Sequence, residues 1–87
     1  MTQFIVIMGQ VVGGRDTPIE VVYSSDDERF REREAAIKHG LRERGSDDFN
    51  IGVLERGRLV SLDWMYENVD ADDARLGRIS DQIGLRG

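Results

Sequence analysis

Five consecutive apolar residues, Phe4-Ile5-Val6-Ile7-Met8, stand near the start of the chain, inside a longer β-branched run from Gln3 to Val12. Side chains alternate between the faces of a strand, so Phe4, Val6 and Met8 belong to one face and Ile5, Ile7 and Val11 to the other. Apolar residues at both parities need cover on both sides, which makes this run a central strand. The run is too short to cross a membrane as a helix, no basic residue precedes it, and Gln10, Gly13 and Gly14 interrupt it soon after. Neither a signal peptide nor a membrane span fits, and the expected compartment is the cytoplasm.

The rest of the chain supplies few partners for that strand. Turn chemistry fills Gly13 to Pro18, and Ile19-Glu-Val-Val-Tyr23 then resumes a strand pattern that pairs back on the first. Ser25 and Glu28 have the spacing of a capping box, with Asp26 and Asp27 suited to the positive end of a helix dipole, so a helix is expected over about residues 26 to 44. Its buried stripe is Phe30, Ile37 and Leu41; Gly40 is a weak point and Gly45 a natural stop. Period-two patterning from Phe49 to Met65, broken at Glu55-Arg56-Gly57-Arg58, predicts a hairpin. In its second strand Val60, Leu62 and Trp64 share one face, and Trp64 is expected in the core. Leu76, Ile79 and Ile83 recur at helical spacing, with Asp70 as cap and Asp72 and Asp73 in the first turn.

The order ββαββα describes one small α+β domain over residues 1–87: a four-stranded, mainly antiparallel sheet with strand order 2-1-3-4 and helices packed on one face. That order keeps every neighbouring pair antiparallel and places the apolar first strand inside.

Composition removes several kinds of chemistry. The 87 residues contain no cysteine and one histidine, so disulfides, thiol nucleophiles and Cys-based zinc sites are excluded. His39 falls opposite Phe30 on the helical wheel, near Glu43, and reads as a solvent-facing surface residue without a catalytic role. The glycines at 9, 13 and 14 lack the Lys-Ser or Lys-Thr of a phosphate loop, and Pro18 follows where a helix should open. Asn68, Asp70 and Asp72 alternate like calcium ligands, but Asp73 and Ile79 occupy the places of the required glycine and glutamate. No serine lies in a nucleophile elbow. The expectation is a non-enzyme with no catalytic residues, no cofactor and no metal.

Three surfaces remain as candidates for a partner. If both helices cover one sheet face, one apolar set of the first strand is left over, and Phe4, Ile5, Val6, Ile7 and Met8 become the association surface for a homodimer or another protein, unless the last helix wraps round to complete the core. This non-catalytic protein–protein reading leads. The alternative is a nucleic-acid or nucleoprotein regulator contacting phosphate through Arg29, Arg33, Arg56 and Arg58. Against it, residues 28 to 44 mix six basic with four acidic residues and the whole chain carries −5. Third, residues 63 to 73 hold five acids and no base, so Asp70, Asp72 and Asp73 form a docking segment for a basic partner.

Overall fold

The computed structural model describes residues 1–26, 28–46, 48–62 and 73–84. It contains β1 (Thr2–Gly14), β2 (Thr17–Ser25), α1 (Arg33–Arg44), β3 (Asn50–Glu55), β4 (Arg58–Leu62) and α2 (Arg75–Gln82). The strands form one sheet in the order β2-β1-β3-β4, with every pairing antiparallel. The α+β class and the strand order are those the sequence implied. β1 is long enough to serve two neighbours in succession: Thr2 to Ile7 pair with β3, and Ile7 to Gly14 pair with β2.

The two helices do not share a face. Ile5 and Ile7 pack with Tyr23, Leu54, Leu59, Leu62 and Ile79 of α2, while Val6 packs with Ala36 of α1, Phe49 and Ile51. Adjacent residues of β1 point to opposite faces, so α2 covers one side of the sheet and α1 the other. The expectation of both helices on one face is corrected here, because the last helix wraps round to cover the set that would otherwise stand open. Ile5, Val6 and Ile7 are 1%, 2% and 0% exposed as a result.

α1 starts at Arg33, later than the Ser25–Glu28 capping box implied. Ser25 is still in β2, opposite Ile7, and Phe30 exchanges two backbone hydrogen bonds with Phe4, at 2.7 and 2.8 Å. Sheet pairing therefore uses the backbone that the helix would have needed. Asp26 closes a local turn instead, its Oδ1 accepting the Glu28 N–H at 3.1 Å. Within the helix the buried residues are Ala36 and Gly40, with Leu41 exposed. Small residues four apart let the helix backbone lie close on the sheet. Gly45 ends the helix at φ 71°, its N–H bonded to the Leu41 carbonyl.

In β4, Leu54 pairs with Leu59 but Val53 pairs with Ser61, so Val60 is an extra residue. This bulge puts Leu59 and Leu62 into the same core, in place of the strict alternation expected of the strand. In α2, Ile79 is buried and Leu76 and Ile83 pack beside it, as their spacing required. The helix opens at Arg75, with the Asp73 carboxylate accepting the Arg75 backbone N–H. Trp64, Asp70 and Asp72 lie outside the described residues.

Candidate functional site

The leading site residues of the sequence reading occupy the interior. Ile5, Val6 and Ile7 are buried, and Phe4 and Met8 are half-buried against the α1-side core. The chain's own helices cover Ile5, Val6 and Ile7, so the middle of the Phe4 to Met8 run offers no open surface for association.

Exposed apolar side chains occur at the far end of the β1–β2 hairpin. Val11 is 66% exposed and Ile19 71%, and Val22 is exposed as well. By strand alternation Val11 and Ile19 lie on the face that α2 covers, with Val21 and Tyr23, and Val22 lies on the α1 face. Among the described residues, β2 is also an edge strand with no neighbour on its outer side. Part of that edge is protected, because Gln82 at the end of α2 accepts the Tyr23 backbone N–H at 2.8 Å. An amide acceptor from a packed helix stops another strand from pairing there. Nearer the turn, Arg78 bonds Glu20 at 2.9 Å in an exposed ion pair.

A second cluster lies at the β3–β4 turn. Arg56 and Gly57 adopt left-handed backbone, at φ 56° and 80°, the geometry of a tight two-residue hairpin. The Arg29 guanidinium lies against this turn, with Nη1 3.9 Å from where a Gly57 side chain would begin. Arg29, Arg56 and Arg58 are all exposed, and among the described residues none of them is ion-paired. A groove beside the turn is lined by Glu55, Arg56, Arg58, Leu59, Val60 and Leu76. The structure thus brings together three of the four arginines of the nucleic-acid reading. Arg33 begins α1 and is engaged in an interaction of its own.

Of the acidic docking residues, Asp73 is described. Its carboxylate bonds the Arg75 side chain at 2.9 Å and also accepts the Arg75 backbone N–H, and these contacts hold its pKa below the ordinary value. Asp73 is therefore locally neutralised as well as helix-capping.

His39 departs from its expected place. Its side chain is 16% exposed, Nε2 lies 2.6 Å from Asp26 Oδ2, and its ring stacks at a tilt on Phe30 with centroids 5.0 Å apart. The helical wheel could not show this, since the covering residues come from the extended segment before α1. An aspartate holding a histidine is half of a catalytic arrangement, but no hydroxyl bonded to His39 completes a triad among the described residues. No group of three or more metal-ligating side chains occurs among the described residues, and no described helix is long and apolar enough to cross a membrane. Comparison with known proteins adds no identity: no family model, no curated protein and no solved structure matches this chain.

Proposed function

We propose that this protein acts without catalysis, by protein–protein association, and that the surface it uses is the projecting end of the β1–β2 hairpin. The observation that carries this reading is the exposure of Val11 and Ile19 on one face of a hairpin whose outer edge, among the described residues, has no strand beside it. Fully burying a valine or isoleucine is worth roughly 1.5–3 kcal/mol, so these two residues together have a substantial driving force for contact. The Gln82 cap at Tyr23 confines pairing to the part of the edge nearer the turn, where the exposed Ile19 stands. A second copy of the chain is the simplest occupant, since a two-fold contact sets the same apolar patch against itself.

Solution mass by light scattering across a concentration series tests the proposal. The expected result is a concentration-dependent dimer in the wild type and a monomer in the double variant Val11→Asp, Ile19→Asp, with unchanged circular dichroism. A wild type that stays monomeric at high concentration overturns self-association. The nucleic-acid alternative is favoured by the Arg29 contact at Gly57 and opposed by the net charge of −5.

A further inference from the structure

We infer that the β3–β4 turn is a docking site for an acidic peptide, a segment in which carboxylates flank an apolar side chain. The inference rests on the reading of this chain as an association protein but uses a different surface from the β1–β2 hairpin. Arg29, Arg56 and Arg58 meet at one turn, are exposed, and lack a carboxylate partner among the described residues. A guanidinium presents a planar fork that matches a carboxylate with two parallel hydrogen bonds, which makes unpaired arginines at one place a receptor for acids. Their presentation is organised in advance. Arg56 sits in the tight turn itself, and Arg29 precedes Phe30, whose backbone is tied to Phe4 by two hydrogen bonds. Less ordering on binding means more of the interaction appears as affinity.

The adjoining groove supplies the apolar half of the recognition. Leu59, Val60 and Leu76 line it beside Arg56 and Arg58. Its single acid, Glu55, accepts a hydrogen bond from the Thr2 hydroxyl. Apolar lining next to arginines suits a peptide better than a sugar-phosphate strand, and the chain's net −5 opposes a long polyanion more than a short peptide.

Fluorescence anisotropy with a labelled ten-residue peptide of alternating Asp and Leu tests this at low salt. Wild type binds, and R29Q/R56Q/R58Q weakens binding by about tenfold or more. The control Arg42→Gln, exposed at the far end of α1, leaves it unchanged. If the triple variant does not fold, single variants Arg56→Gln and Arg58→Gln replace it, each expected to lose about threefold. No binding at low salt overturns the inference, and so does equal loss in the Arg42 control. Tighter binding of a ten-nucleotide oligo-dT than of the peptide overturns it in favour of nucleic acid. A monomeric wild type that still binds the peptide removes the hairpin dimer alone.

Discussion

Phe49 lies where a side chain on Gly40 would have to be: a Cβ built on Gly40 falls 2.5 Å from the Phe49 ring. Phe49 is fully buried and has nowhere to withdraw. Helix propensity favours alanine over glycine by about 1 kcal/mol, while overpacking a filled core costs roughly 1–3 kcal/mol. Gly40→Ala is therefore expected to destabilise by up to about 2 kcal/mol in urea unfolding, the difference of those two effects. Pairing it with Phe49→Leu should recover part of that loss, and additive losses would show that the two positions do not compete for space.

Asn50 is expected to behave in the opposite sense. It is fully buried, and neither Oδ1 nor Nδ2 has a hydrogen-bond partner among the described residues. A buried amide without partners costs about 1–3 kcal/mol relative to its hydrated state. Asn50→Leu, close in volume, should raise stability by roughly 1 kcal/mol in thermal or urea melts. A clear loss would mean that the amide has a buried partner in solution, a water being the first to look for.

The Asp26–His39 contact should govern the segment before α1. His39→Ala removes a hydrogen bond and the ring stacked on Phe30, an expected cost of about 1 kcal/mol. The more specific readout is hydrogen exchange. The amides of Phe4 and Phe30, which bond to each other's carbonyls, should exchange faster in the variant while those of β3 do not change. Unaltered protection at Phe30 would separate His39 from the bridge.

Acid should weaken the end of α1. Hydrogen bonds from the Arg44 guanidinium, then from the Ser46 hydroxyl, hold the Asp48 pKa below its ordinary value of 3.8. A carboxyl whose pKa is lower folded than unfolded stabilises the fold above the unfolded value, and that contribution disappears as pH falls through the folded value. Stability measured in urea should therefore differ between wild type and Asp48→Asn near neutral pH and converge below 3.8. A difference that persists in strong acid would assign the effect to something other than the ionised pair.

Much of the sheet was legible in the residues. The run around Ile5 to Ile7 could only be a central strand, the Arg56-Gly57 pair marked a tight turn, and antiparallel pairing then left β2-β1-β3-β4 as the consistent order. Ile79 with Leu76 and Ile83 likewise showed the buried side of α2. The start of α1 was not legible, because Ser25 to Phe30 satisfy local capping rules and sheet pairing alike, and only the position of β1 decides between them. Nor were the burial of His39 and the meeting of Arg29 with Gly57, each of which joins residues from separate elements.

The sequence by itself determined which residues must leave water, since β-branched runs and helical spacing declare their buried sides without reference to distant parts of the chain. Tertiary structure alone decided what covers each side. Period-two alternation states that β1 has two apolar faces but not which helix crosses to which, and that choice removed Ile5, Val6 and Ile7 from the surface and left Val11 and Ile19 on it. Contact between elements depends on chain path, which local propensity does not encode.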